Sequence, residues 1–210
     1  MERLAPTAVA ALIGYLCGSV SFALLIARAK GLDLRAVGSG NAGATNAGRA
    51  LGRKFGVLVY LLDAAKGALP AALALLLAPE GRAPLELAAA AGAGAYAGHV
   101  FPVWFGFRGG KGVATYSGAL LVLAPLAVLA GAGVLLLVGL ASRMMSLASI
   151  SFGLAVPAAL WLLDPDWALG DGFPVLLFAA LGGLLFLVTH RSNLARILAG
   201  TESRIGRPKS

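Results

Sequence analysis

Four short polar stretches carry the residues able to do chemistry. The first, Gly38 to Gly52 (GSGNAGATNAGRALG), offers backbone N–H groups around glycines such as Gly38 and Gly40, with Ser39, Asn41, Thr45, Asn46 and Arg49 among them. The second, Arg108-Gly109-Gly110-Lys111-Gly112 followed by Thr115, sets a mobile point charge on a glycine-rich turn. Ser142-Arg143 with Ser146, Ser149 and Ser151 makes the third, and His190-Arg191-Ser192-Asn193 with Glu202 the fourth. Amide nests and helix N-termini bind phosphate, and a lysine ammonium suits the same ligand. These groups are equipment for holding and orienting polyanions.

Several chemistries are disfavoured by the same inventory. Neither glycine-rich stretch follows the nucleotide P-loop spacing, GxxxxGK and then Ser or Thr. The G-x-S-x-G elbow of serine hydrolases is missing too. Two histidines with a lone Cys17 argue against a zinc site, and the polar clusters lack the paired carboxylates of a magnesium-dependent phosphotransferase. No metal and no cofactor are expected. Catalysis by positioning and charge stabilisation would suffice for a substrate that brings its own reactive group.

The elements that position these stretches are membrane spans. Residues of the AVILMFWYC set make up 59% of the chain and charged residues 12%, with a mean hydropathy of +0.87. Soluble domains run at about 45–50% and about 25%. Apolar runs are read at Ala8–Ala27, Phe55–Ala78, Leu85–Phe105, Val113–Ala141, Leu147–Leu163 and Phe173–Thr189. The third opens with the small residues AAAAGAGAYAG, which permit close helix packing. Asp63 and Lys66 lie three apart in the second run, either as an internal pair that glues helices or as support for an active loop. His99 reads as structural.

Val113–Ala141 decides the topology. As one helix it would leave the acidic residues Asp164, Asp166 and Asp171 inside and the basic tail outside. As two short helices hinged near Pro125 it restores the positive-inside bias. The expectation is therefore an all-α polytopic membrane protein, a seven-helix bundle with the N-terminus outside and the C-terminus cytoplasmic. Of 17 basic residues, setting aside Lys66, Arg3 and Arg82 leaves 14 on the cytoplasmic side. All four polar stretches then meet at that face. Residues 1–210 read as one domain, with 190–210 a basic tail whose Leu194, Ile197 and Leu198 repeat at helical spacing. The net charge of +8 is read first as topology, since the basic residues cluster in the short loops, and an anionic substrate is the second reading. Nucleic acid and nucleotides are not expected partners.

The motifs together resemble a known family, the bacterial glycerol-3-phosphate acyltransferases that take acyl phosphate as donor. The resemblance rests on Gly38–Arg49, on Asp63 with Lys66-Gly67, and on His99-Val100-Phe101-Pro102 leading into Phe107–Thr115. It extends to Ser142–Ser149 and to His190–Asn193 through Gly200, Glu202 and Arg204. It implies transfer of a fatty acyl group from acyl phosphate to the 1-hydroxyl of glycerol 3-phosphate, at the cytoplasmic side of the bacterial inner membrane, without a metal. Ser39 and Arg49 resemble the family's essential pair. Gly109, Gly110 and Lys111 resemble its phosphate-cradling loop, with Gly112 beside them. His190, Asn193 and Glu202 resemble its last essential residues. Arg143, Ser146 and Ser149 fall in the substrate-binding set, and Asp63 and Lys66 in a supporting one. The implied partners are glycerol 3-phosphate, a long-chain acyl phosphate and membrane lipid, with the chain acting as a monomer. The competing reading is a small transporter of an anionic metabolite or lipid.

Overall fold

The structure is a computed structural model, and it describes residues 4–80 and 83–206. Arg3, Arg82 and the last residues of the tail, 207–210, lie outside the described residues. All regular structure among the described residues is helical. The chain forms two compact units, divided between Leu123 and Ala124.

The first unit contains α1 (Leu4–Gly18), α2 (Phe22–Ala29), α3 (Ala44–Leu51), α4 (Arg53–Leu76), α5 (Pro84–Val100), a 3-10 turn (Val103–Phe105) and α6 (Val113–Leu123). α5 is its hub, because its glycines and alanines let three neighbours approach closely. A β-carbon added to Gly14 or Gly18 of α1 would land on the carbonyl of Ala91 or Ala95. One added to Gly94 or Gly98 of α5 would land on Ala11 or Tyr15 in return. α4 and α6 repeat the device, with Gly67 against the Thr115 carbonyl and Gly118 against that of Ala64. Contacts this close replace the hydrophobic effect, which does not drive helices together in lipid.

Two sequence expectations are revised here. Ala8–Ala27 is not one helix. The chain breaks between Gly18 and Phe22, where the hydroxyl of Ser19 turns back to the Tyr15 carbonyl at 2.8 Å. Gly38–Gly52 is also not a loop throughout, since its second half, from Ala44, is α3.

The second unit contains α7 (Pro125–Ser142), α8 (Met145–Leu163), α9 (Pro165–Leu169), α10 (Phe173–Thr189) and α11 (Arg191–Leu198). α7 packs on α8 at Gly131, and α8 packs on α10 through Gly153 and Gly183. The interruption expected near Pro125 is present, with Ala124 at φ −149°. However, only α6 is short. Proline at the first helical position forfeits no hydrogen bond, so α7 restarts at once and runs for 18 residues, long enough to cross a membrane. The acidic segment holds a helical turn that the sequence reading did not include, α9, with Asp164 accepting the Trp167 N–H at 3.0 Å.

The chain is an all-α polytopic membrane protein. Among the described residues, four segments are long and apolar enough to span: Ala5–Ala29 taken across its break, α4, α7 and α8. A fifth is obtained by joining α10 to α11 across a 59° bend.

Candidate functional site

In the first unit the site is built from two glycine-rich segments. The first turns twice through left-handed backbone, at Gly38 (φ +63°) and Gly40 (φ +69°). Glycine adopts that conformation without penalty. Asn46 locks the turn from inside. It is fully buried, its Oδ1 accepts the Ser39 N–H at 2.9 Å, and its Nδ2 donates to the carbonyls of Leu34 and Val37 at 3.0 and 3.1 Å. Both amide hydrogens are thus committed to backbone. Asn46 holds the loop rather than a ligand, and Ser39 is left exposed on the loop's outer side. Asn41 is half-buried in the same turn, where its carbonyl accepts the Gly43 N–H at 3.0 Å.

Thr45 and Arg49 follow on α3. They line an open groove of about 340 Å³ between α3 and α4, together with Gly48, Arg53, Val57 and Tyr60. Gly48 and Gly56 bring the two helices together. Arg53 was not among the sequence-derived candidates. It adds a second guanidinium near Arg49, and only its place on a helix reveals it.

The second segment meets the first. A β-carbon on Gly110 would clash with the His99 imidazole on one side and lie 2.7 Å from the Ala42 carbonyl on the other. The expectation that the amides of Gly109 and Gly110 hold phosphate is corrected here. Their N–H groups donate to the carbonyls of Val100 and His99, each at 3.1 Å. These two glycines serve close approach, and Gly112 (φ +85°) does so against the ring of Tyr96. The segment brings two charges, the exposed Arg108 and Lys111, the latter half-buried between Gly110 and Gly112. The buried hydroxyl of Thr115 has no hydrogen-bond partner among the described residues.

A buried ionic group adjoins the second segment. Lys66 Nζ lies 2.8 Å from Asp63 Oδ1 and donates to the Val20 carbonyl at 2.6 Å. His99 Nδ1 is 3.7 Å from the same carboxylate oxygen. Asp63 thus lies beside His99, which packs against Gly110 of the second segment, a proximity that nothing in the local sequence around His99 signals. Arg35, which was not among the candidate residues, donates from Nη2 to the carbonyls of Phe105 and Arg108 at 2.9 and 2.6 Å.

In the second unit Glu202 gathers the candidates. Its Oε1 accepts from Ser146 Oγ and Asn193 Nδ2, both at 2.7 Å, and its Oε2 from Arg196 Nε at 2.7 Å. Burial raises the Glu202 pKa, but the hydrogen bonds from Asn193, Ser146 and Arg196 and the charge of Arg196 outweigh it and leave it below its ordinary value. Arg196 was missed in the sequence, although it lies one turn from Asn193 on α11. His190 is buried at the junction of α10 and α11, with Nδ1 3.0 Å from the Phe186 carbonyl. A carbonyl only accepts, so Nδ1 carries the proton and the lone pair of the neutral ring sits on Nε2. Arg143 is exposed, and its carbonyl accepts the Ile205 N–H at 2.7 Å. Ser149 donates to the Met145 carbonyl of its own helix at 2.8 Å, the ordinary fate of a serine in a span.

Each unit therefore presents cations and hydroxyls held by backbone and buried polar groups, on a polytopic membrane scaffold. Residues 8–200 match the family model described as glycerol-3-phosphate acyltransferase. The chain is 45% identical over 203 residues to a glycerol-3-phosphate acyltransferase of Sinorhizobium medicae, covering 96% of this chain and 94% of that one. An Agrobacterium fabrum protein of the same description is 44% identical over 203 residues, covering 95% and 92%. Among solved structures, the glycerol 3-phosphate form of PlsY, an integral membrane glycerol 3-phosphate acyltransferase, superposes with a TM-score of 0.86 at 41% identity, covering 95% and 96% of the two chains. Its lysophosphatidic acid form gives 0.84 at 40%, covering 95% of each. The chain belongs to the glycerol-3-phosphate acyltransferase family.

Proposed function

We propose that this chain transfers a long-chain acyl group from acyl phosphate to the 1-hydroxyl of glycerol 3-phosphate, as a multi-pass enzyme of the bacterial inner membrane. The products are 1-acyl-glycerol 3-phosphate and inorganic phosphate. The bond formed joins the glycerol oxygen to the acyl carbon, and the bond broken joins that carbon to a phosphate oxygen. The hydroxyl proton goes to an oxygen of the departing phosphate, so the donor serves as its own base. This division suits a site rich in cations and hydroxyls.

The observation that carries the reading is the meeting of the two glycine-rich segments at Ala42 and Gly110. It brings the segment bearing Ser39 and Arg49 against the one bearing Lys111. Arg49 and Lys111 hold phosphate, Ser39 donates to the acyl phosphate, and Thr45 lines the approach. His190 and Asn193 orient glycerol 3-phosphate, with Glu202, Ser146 and Arg196 fixing Asn193. In this reading residues 1–210 act as one acyltransferase and as a monomer. The chain crosses seven times, by α1 with α2, α4, α5, α6, α7, α8 and α10, with the N-terminus outside and the site at the cytoplasmic face. The excess of basic residues in the segments assigned to that face supports it. A transporter would be expected to use the intramembrane charges Asp63 and Lys66 along a path, and these are engaged with each other and with Val20.

Purified protein supplied with palmitoyl phosphate and glycerol 3-phosphate is expected to release phosphate and lysophosphatidic acid in equal amounts. Lys111→Ala and Arg49→Ala should each lower the rate by about 100-fold or more while the protein still inserts and elutes as the parent does. Near-parental turnover in either variant would remove that residue from the site, and no lysophosphatidic acid from the parent would overturn the function.

A further inference from the structure

We propose that Arg35 is a positioning residue for the transfer reaction: it clasps the strained turn at Phe107 and thereby holds Lys111 in register with Ser39. The inference rests on the acyltransferase reading above, and the observations come from both sides of the guanidinium. On one side, a single nitrogen, Nη2, donates to the carbonyls of Phe105 and Arg108. These carbonyls bracket Phe107, whose φ of +58° is left-handed. A bulky L-residue rarely adopts that conformation and keeps it only where its surroundings over-determine it. The Phe107 N–H is also held, by the Pro102 carbonyl at 2.9 Å. The turn is thus fixed from within by Pro102 and from the neighbouring segment by Arg35. Lys111 lies four residues beyond Phe107.

On the other side, Arg35 belongs to the start of the first glycine-rich segment. Its own N–H is held by Asp33 Oδ1 at 2.9 Å. Its carbonyl stands so close to Gly40 that a β-carbon there would lie 3.1 Å away. Gly40 directly follows Ser39. One residue thus touches the backbone beside Ser39 and grips the turn ahead of Lys111. On the buried side the two segments already meet at Gly110, which packs between the His99 imidazole and the Ala42 carbonyl, so releasing Arg35 frees the exposed edge alone. Glycine at position 107 would adopt the observed backbone without strain, and this supplies a rescue specific to the idea.

The experiment compares parent, Arg35→Ala, Phe107→Gly and the double variant, each purified in detergent. Two readouts are taken, the KM and kcat for each phosphate substrate and the hydrogen exchange of residues 102–112. Arg35→Ala is expected to raise the KM for at least one phosphate substrate about tenfold, with kcat within about threefold. It should also speed exchange in 102–112. The double variant should recover at least half of the KM change on a logarithmic scale. Unchanged KM values, unchanged exchange, or no recovery in the double variant would each overturn the proposal. If Arg35→Ala cannot be purified, Arg35→Lys, whose shorter side chain falls short of the two carbonyls, is read by the same criteria. A parent with no transferase activity would overturn the enzyme reading instead, and the exchange data would still decide whether Arg35 holds the turn.

Discussion

Glu202 and Asn46 exchange the roles that their types suggest. A carboxylate and a carboxamide in these polar stretches read from sequence as ligands for a substrate, yet each spends its polar atoms on the protein. Glu202 takes three donors from Ser146, Asn193 and Arg196, and Asn46 ties Ser39 to Leu34 and Val37. The sequence could not separate these from Ser39, Arg49 or Lys111, because whether a side chain faces inward depends on contacts with residues far along the chain. The lowered Glu202 pKa has a defined consequence. A carboxylate depressed on folding adds stability above its unfolded value, near 4.5, and that stability is lost as pH falls through the lower folded value. Protease resistance of the segment after α11 should therefore persist at pH 5 and fail only below 4.5. Glu202→Gln should weaken it already at neutral pH. Equal resistance of parent and Glu202→Gln at pH 7 would count against the clasp.

At the scale of elements, hydropathy placed α10 at its observed bounds and α4 and α8 within two residues of theirs, since a long apolar run in lipid must satisfy its backbone internally as a helix. It was blind to the break between α1 and α2, because no proline marks it and Gly18-Ser19-Val20-Ser21 is barely polar. The break is legible only together with Lys66. Opening the helix frees the Val20 carbonyl, and Lys66 from α4 supplies the donor while pairing with Asp63. A charged residue in a span thus repairs a backbone defect in its neighbour. Lys66→Met should destabilise the folded protein by about 3–5 kcal/mol, because it strands both a buried carboxylate and a carbonyl. Asp63→Asn with Lys66→Met should lose less. Unfolding in mixed detergent micelles, followed by tryptophan fluorescence, checks the order. A double variant no more stable than the single one would show that the stranded carboxylate is not the source of the loss.

For the molecule as a whole, the class, the family and the four polar stretches were legible from sequence, because they depend on composition and on motifs of several residues in order. The division at Ala124 was legible as an interruption and not as the border of two compact units. In the proposed reaction Arg49 and Lys111 hold phosphate and the donor is its own base, so transfer should be insensitive to excess EDTA. A large drop in rate that magnesium restores would contradict this. The seam between α1 and α5 bears on how such a chain is made. Gly14 and Gly18 meet Ala91 and Ala95, and Gly94 and Gly98 answer against Ala11 and Tyr15, so the first helix has its partner about eighty residues downstream. During synthesis α1 enters the bilayer long before that partner exists. It waits there among lipid, its glycine face open, until α5 leaves the ribosome. Biogenesis is therefore most exposed to error in that interval, and substitutions along the seam should reduce yield through failed assembly before any effect on catalysis can be seen.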